Sequence, residues 1–292
     1  MKILIVGLVK NEQVNRLRQE AEKRGHILEG VYPSDLIINS DSGKFEPTLK
    51  GKPIDHDLIY LWATGKKRWE WTTVAYFLYK TKGTKIINYK VIDPAYFYAH
   101  SPVVDYLKQS ENNLLFPKSA VVFKSKVVDD VMKGFSYPVI VKSSLGKKGQ
   151  GVYKVESIEE IKKIVNENKE ETPAFVIREF IPNDGDIRVF TIGYKAIGAM
   201  KRTPAKGDFR SNISQGGAGE SYDLSKNLFV QEIAEKISKI TRTEIAGVDI
   251  MLHAETNKPY ILETNPGPQF LGLEKYTNLN VALEIIKYFE SL

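Results

Sequence analysis

Three oxygen-bearing side chains near the C-terminus have the spacing to do chemistry together. Asp249 lies in the apolar stretch Gly247 to His253, and Glu263 and Asn265 lie in and just after Pro259 to Thr264. Positions 263 and 265 are two apart, so in an extended strand they share a face. If the two stretches form a hairpin centred on Thr256, Asp249 faces Glu263. Two carboxylates and an amide oxygen then converge on one side. Such oxygen sets suit magnesium or manganese, above all where phosphates complete the shell. Opposed carboxylates repel unless a cation lies between them. On spacing alone, an ordinary polar face with a turn at Asn265-Pro266-Gly267 is the simpler account.

Two further stretches suit anions. Lys142 ends the apolar run Tyr137 to Lys142 and is followed by Ser143-Ser144-Leu145-Gly146-Lys147-Lys148-Gly149-Gln150-Gly151. Glycine lets backbone amides approach an anion closely, and lysine adds a point charge for phosphate. A solvated basic hairpin turn explains this stretch equally well. Lys201-Arg202 through Phe209-Arg210-Ser211-Asn212 to Gly216-Gly217 combines cations, amide and hydroxyl donors and a glycine pair. That run reads either as an anion-binding lid or as a surface loop. Other chemistries lack support. There is no cysteine, hence no disulfide, thiolate metal site or cysteine nucleophile. The four histidines show no metal-ligand spacing, and neither G-x-S-x-G nor a Walker P-loop pattern occurs. Lys66-Lys67-Arg68-Trp69 and Trp71 mix basic and aromatic residues, but a substrate loop or solvated helix start fits better than nucleic-acid stacking.

The elements that must position these residues follow from periodicity. Residues 3–9 read as a buried strand, too short for a signal peptide and followed by Lys10, Asn11 and Glu12 rather than a cleavage site. Asn11 to Arg24 reads as a helix with Val14, Leu17 and Ala21 on one face and Gly25 as its stop. Strands near 27–31, 58–62 and 85–88, a helix over 72–80, and mixed short strands and loops over 33–57 give a small parallel α/β unit. Asp93-Pro94 marks a boundary. Beyond it come helices at 103–110 and 127–133, strands at 114–122, 137–142 and 152–155, and a helix over 157–168 with Ser157 and Glu160 as a capping box. Strands at 174–181, 186–192 and 195–202 follow, then a helix over 227–241, the hairpin, and a closing helix over 280–292. The 292 residues carry 42% hydrophobic and 27% charged side chains, a globular balance, and a net charge of +6 that attracts anions without choosing among them. No apolar run approaches the ~18 residues of a membrane span, and the absence of cysteine fits a cytoplasmic location.

Taken together, the segments resemble the ATP-grasp superfamily, specifically RimK-like amino-acid ligases. The resemblance is strongest over residues 138–285. It rests on Asp186-Ile187-Arg188-Val189-Phe190, Met200-Lys201-Arg202, Gly207-Asp208-Phe209-Arg210-Ser211-Asn212 with Gly216-Gly217, Ala246-Gly247-Val248-Asp249-Ile250, and Leu262-Glu263-Thr264-Asn265-Pro266. It implies an α/β (α+β) chain with an N-terminal parallel α/β domain over 1–95 and a two-lobed ATP-grasp domain over 96–292. The small lobe is then 96–176, and the C-terminal lobe with the metal site is 177–292.

The resemblance also implies roles. Lys142 is similar to the strand-end lysine on the ATP phosphates, and Ser143, Ser144, Gly149 and Gly151 belong to the loop over them. Glu179-Phe180-Ile181 is similar to the hinge that holds adenine. Asp186 is similar to a ribose contact, with Arg188 in the same cofactor-binding set. Arg202, together with Lys142, is the catalytic candidate that steadies the transferred phosphate. Arg210, Ser211 and Asn212 match a nucleotide-contacting loop, and Asp249, Glu263 and Asn265 match the ligands of two magnesium (or manganese) ions. One departure stands out: where the family carries an Asp-Lys pair opening the first helix, this chain has His100-Ser101-Pro102-Val103-Val104-Asp105, with Lys108 the nearest lysine.

The implied activity is an ATP-dependent carboxylate–amine ligation through an acyl phosphate, releasing ADP and phosphate. The donor is glutamate or another acidic amino acid. The acceptor is a carboxylate on a protein C-terminus, a peptide or a small cofactor, with residues 62–72 helping to choose it. No membrane partner is expected, and a homo-oligomer is compatible. Two other classes remain at this point: a non-catalytic nucleotide-binding protein of the same fold, and a basic RNA- or ribosome-binding protein.

Overall fold

The structure of the chain is a computed structural model that describes residues 1–7, 9–96, 103–143, 151–168, 170, 172, 174–210 and 216–292, without the side chains of 104 and 105. It begins with β1 (Lys2–Val6), α1 (Glu12–Lys23), β2 (Ile27–Val31), a three-stranded insertion of β3 (Leu36–Asp41), β4 (Lys44–Leu49) and β5 (Lys52–Pro53), then β6 (Leu58–Leu61), α2 (Arg68–Lys82) and β7 (Lys85–Ile87). The first sheet is parallel in the order β2-β1-β6-β7. Alternation along β1 sends Leu4 and Val6 to one core with Trp71 and Val74 of α2, and Ile3 and Ile5 to another with Val14 and Leu17 of α1. Asn11 caps α1, its side chain accepting the Gln13 N–H at 2.8 Å.

Next come α3 (Val103–Glu111), β8 (Ser119–Val122), α4 (Val128–Met132), β9 (Val139–Ser143), β10 (Val152–Val155), α5 (Ile158–Glu167) and β11 (Phe175–Glu179). Their antiparallel sheet, β10-β9-β11-β8, buries Val139, Val141 and Ile177 against α4 and α5. Ser157 caps α5 through the Glu160 N–H.

The chain ends with β12 (Asp186–Ile192), β13 (Lys195–Thr203), β14 (Ala218–Tyr222), α6 (Leu228–Ile240), β15 (Ile245–Leu252), β16 (Pro259–Asn265), α7 (Leu271–Thr277) and α8 (Val281–Ser291). This sheet runs β14-β13-β12-β15-β16. Its odd face on β12, Ile187 and Val189, packs on Val230, Ala234 and Ile237 of α6. Its other face, with Phe190 and Met200, packs on α8 and on Ile3, Ile5 and Tyr60 of the first sheet. One continuous core therefore joins the first sheet to the last. Fully burying each such aliphatic side chain contributes about 1.5–3 kcal/mol.

Two elements fall outside the sequence expectation. Strand β14 lies in a stretch with weak alternation, at the sheet edge with most side chains exposed. Helix α7 is a short segment that buries only Leu273. Neither has the apolar period that reveals a longer element.

Candidate active site

The hairpin pairs as its sequence suggests at the point that matters: Asp249 is the cross-strand partner of Glu263. The pairing then slips by one residue, so Ile250 meets Ile261. Register carries the pattern across the sheet: Asp249 faces Arg188 on β12, and Asp186 faces Arg202 on β13. The result is a chain of four charges. Arg188 donates to both Asp249 oxygens, at 2.7 Å from Nε and 2.6 Å from Nη2. Arg202 places Nη2 3.0 Å from Asp249 and donates from Nε to Asp186 at 2.5 Å. Asp186, Arg202 and Asp249 are 8%, 4% and 4% exposed.

Electrostatics separates the two acids. Burial raises the Asp186 carboxyl to about 6 despite Arg202. Asp249 is buried as deeply, but the guanidinium groups of Arg188 and Arg202 outweigh that and hold it at about 2. Burial opposes the Arg202 charge, yet the two carboxylates prevail and raise its pKa. Gly185, at φ +133, permits this closeness, because a Cβ there would lie 2.1 Å from the Arg202 carbonyl oxygen.

The open half of the site lies beside this network. Glu263 is half-exposed, with Lys142 Nζ 4.0 Å from its carboxylate. Asn265 donates from Nδ2 to Glu263 at 2.9 Å, which leaves Oδ1 for another partner. A cavity of about 140 Å³ between the second and third sheets is lined by Lys142, Phe180, Ile181, Asp186, Arg210 and Met251 among others. A larger cavity of about 310 Å³ beside Lys201, Tyr222 and His253 contains none of the expected nucleotide residues. The smaller one is the candidate nucleotide cleft, because the expected nucleotide residues Lys142, Glu179, Phe180, Ile181, Asp186 and Arg210 line it; Arg202, Asp249, Glu263 and Asn265 are not part of its lining.

The other expected residues are placed as follows. The Ser143 N–H donates to the Gly151 carbonyl at 3.0 Å, closing the base of the glycine loop, and Gly151 has φ +70. Glu179 accepts the Lys118 N–H at 2.7 Å, and Lys154 Nζ sits 4.3 Å over the Phe180 ring. Arg210 is held by Asp208, with Nη2 2.8 Å from its carboxylate. Asp186, expected as a ribose contact, reaches the cavity wall but spends its carboxylate on Arg202. Ser144, Gly149, Ser211 and Asn212 lie outside the described residues, as does most of the departure at 100–105. Lys108 pairs with Glu111 at 2.9 Å.

Sequence reasoning missed Arg178. It is 7% exposed and lines the cleft, and its described partners are neutral: Ser119 Oγ at 3.2 Å, Tyr106 Oη at 2.8 Å and the Leu262 carbonyl at 3.3 Å. Its signal was a lone cation inside the apolar strand Phe175–Glu179.

Glu263, Asn265 and Asp249 present the hard oxygen donors that a divalent cation takes. Among the described residues no three acids or imidazoles converge, so the set consists of two carboxylates and an amide. Contrary to the expectation from opposed carboxylates alone, the pairing of Asp249 with Glu263 does not require a metal cation, since Arg188 and Arg202 already neutralise Asp249.

A family model described as the RimK-like ATP-grasp domain matches residues 109–289, more than half the chain. The chain belongs to the RimK-like ATP-grasp family. It is an ATP-grasp ligase, of the class that forms carbon–nitrogen bonds. A probable alpha-L-glutamate ligase from Shewanella frigidimarina is 26% identical over 294 residues, covering 99% of this chain and 95% of that one. One from Legionella pneumophila is 36% identical over 155 residues, covering 52% and 50%. Among solved structures, the ATP-grasp ligase PsnB with a phosphomimetic variant of its minimal precursor, Mg and ADP superposes with a TM-score of 0.71 at 16% identity, covering 99% and 97%. That likeness shows the fold. No helix among the described residues of this RimK-like chain is long and apolar enough to cross a membrane.

Proposed function

We propose that this ligase joins an acidic amino acid, glutamate above all, to a carboxylate acceptor on a protein, peptide or small molecule by way of an acyl phosphate. The observation that carries the reading is the junction of the two half-sites: the locked Asp186–Arg202–Asp249–Arg188 network beside an open Glu263–Asn265–Lys142 edge, of which Lys142 lines the cleft. The names of the curated relatives support glutamate as donor.

The chemistry follows from the unreactivity of carboxylates toward amines at neutral pH. An acceptor carboxylate oxygen bonds to the γ-phosphorus of ATP and the bond to the ADP oxygen breaks. The amine then attacks the carbonyl carbon of the acyl phosphate, phosphate leaves, and the amine nitrogen gives up its proton. Two magnesium ions held by Glu263, Asn265 and the remaining lone pair of Asp249 would spread the phosphate charge. Lys142 supplies a cation at the mouth of the cleft. Arg202, with Nε and Nη2 committed to carboxylates, is fixed in place and keeps Nη1 for the transferred group. Water would hydrolyse the acyl phosphate, so the chemistry requires its exclusion from the cleft.

The test is ADP release with magnesium and ATP across the twenty amino acids, with and without a glutamate-ended peptide, in wild type and Glu263→Gln. Turnover that requires glutamate and collapses in the variant is expected. ATP binding without turnover under every combination would favour the non-catalytic alternative.

A further inference from the structure

The carbonyl of Pro266, one residue beyond Asn265, receives two hydrogen bonds from the N-terminal sheet. Tyr60 Oη donates to it at 2.5 Å and Asn88 Nδ2 at 2.9 Å. These donors lie 206 and 178 residues away in sequence and are themselves 0% and 3% exposed. Asn88 is fixed on every side. It takes the left-handed conformation at φ 58, donates its N–H to Glu244 at 2.7 Å, and accepts the Ile245 N–H at 3.1 Å, where β15 begins. One side chain thus ties together the start of the strand carrying Asp249 and the end of the strand carrying Glu263 and Asn265. The loop has little room to move. A Cβ on Gly267 would lie 2.5 Å from the Trp62 carbonyl oxygen, and one on Gly247 would lie 2.7 Å from Pro268.

We propose that Tyr60 and Asn88 are positioning residues for the cation site, holding the Pro266 carbonyl so that Glu263 and Asn265 meet a divalent metal in register with Asp249. This rests on the reading that Glu263 and Asn265 hold the metal. Groups that orient metal ligands without touching the ion typically change metal affinity by about 10–100-fold. Simple adhesion between the sheets would not do so. Tyr96 provides the comparison, since its Oη donates to the Ile240 carbonyl at 3.3 Å, at the end of α6 and away from the ligand strand.

The experiment titrates the full chain with Mn²⁺ in the presence of ADP, following free Mn²⁺ by electron paramagnetic resonance. Circular-dichroism melts of the same samples report folding. The variants are Tyr60→Phe, Asn88→Gly (which tolerates the left-handed backbone), the double variant, Tyr96→Phe and Glu263→Gln. The proposal expects the double variant to bind Mn²⁺ about 10-fold more weakly while melting cooperatively, with Tyr96→Phe unchanged. If the double variant does not fold, Tyr60→Phe alone must show a smaller loss in the same direction. Wild-type affinity in the folded clamp variants, with affinity lost in Glu263→Gln, would overturn the clamp and leave the metal assignment standing. Undiminished affinity in Glu263→Gln would overturn the metal assignment and this inference with it.

Discussion

Asp249 and Glu263 are cross-strand neighbours of the same chemical type, yet they sit in opposite surroundings. Asp249 is buried under two guanidinium groups. Glu263 is half-exposed, with one amide and a lysine 4.0 Å away. The difference separates two tasks that a carboxylate can perform in one site. The buried acid fixes Arg188 and Arg202 in place at the cost of most of its own coordinating capacity. The open acid keeps its lone pairs for a ligand and contributes little to the fold.

Substituting within each half should give opposite signatures. Arg202→Met leaves Asp186 and Asp249 buried together with only Arg188 as counter-charge. Breaking a buried network in this way costs about 3–5 kcal/mol, a large share of the ~5–15 kcal/mol that holds a typical domain together. A large loss in thermal or urea stability is expected, with no turnover. Glu263→Gln removes a half-exposed charge and should change stability by less than about 0.5 kcal/mol while abolishing ADP release. Equal destabilisation by the two changes, measured by urea unfolding, would contradict the division.

The same contrast governs pH. The Asp186 carboxyl is raised from 3.8 to about 6, so ionised Asp186 opposes folding. Its contribution is fully favourable below 3.8 and is lost as pH rises through 6. Asp249, lowered to about 2, behaves oppositely: its contribution is present above 3.8 and is lost as pH falls through 2. Near pH 6, then, Asp186 changes charge while Asp249 does not, and Arg202 gains or loses one of its two anchors. A kcat/KM profile should show an inflection near 6, and Asp186→Asn should remove it. An inflection that survives this substitution would belong to another group.

Much of this arrangement was legible in the sequence, for identifiable reasons. The two-residue spacing of Glu263 and Asn265 places them on one face of any strand, and a hairpin about Thr256 brings Asp249 opposite Glu263. That pairing holds even though β16 slips against β15 immediately afterwards. Asp186 and Arg188 likewise had to share a face. What periodicity leaves unspecified is which strand lies next to β12. The Asp186–Arg202 and Arg188–Asp249 pairs depend on neighbours 16 and 61 residues away, and only sheet order supplies them. The Pro266 clamp was beyond reach for the same reason, because Tyr60 and Asn88 meet it through packing between two sheets. The short helix α7 and the edge strand β14 left too little apolar pattern to see.

The smallest effect separates a low carboxyl pKa from a structural role. Glu290 on α8, like Asp249, is held at about 2, here by hydrogen bonds from Arg24 and then His26, in the turn between α1 and β2. Both acids lose their favourable contribution as pH falls, Glu290 from 4.5 through 2 and Asp249 from 3.8 through 2. Their exposure differs, however. Arg24 and Glu290 stand in solvent, where ~1 M salt shortens the screening length to about 3 Å; the Asp249 pairs are dry. Raising salt should therefore bring the Glu290 titration back toward the ordinary carboxylate range and leave Asp249 depressed. Arg24→Ala should shift the melting temperature only slightly at low salt and not at all at high salt. Carboxyl-selective NMR titration at two ionic strengths reads both acids in one sample. If the two moved together with salt, burial would not be what distinguishes the structural acid from the surface one.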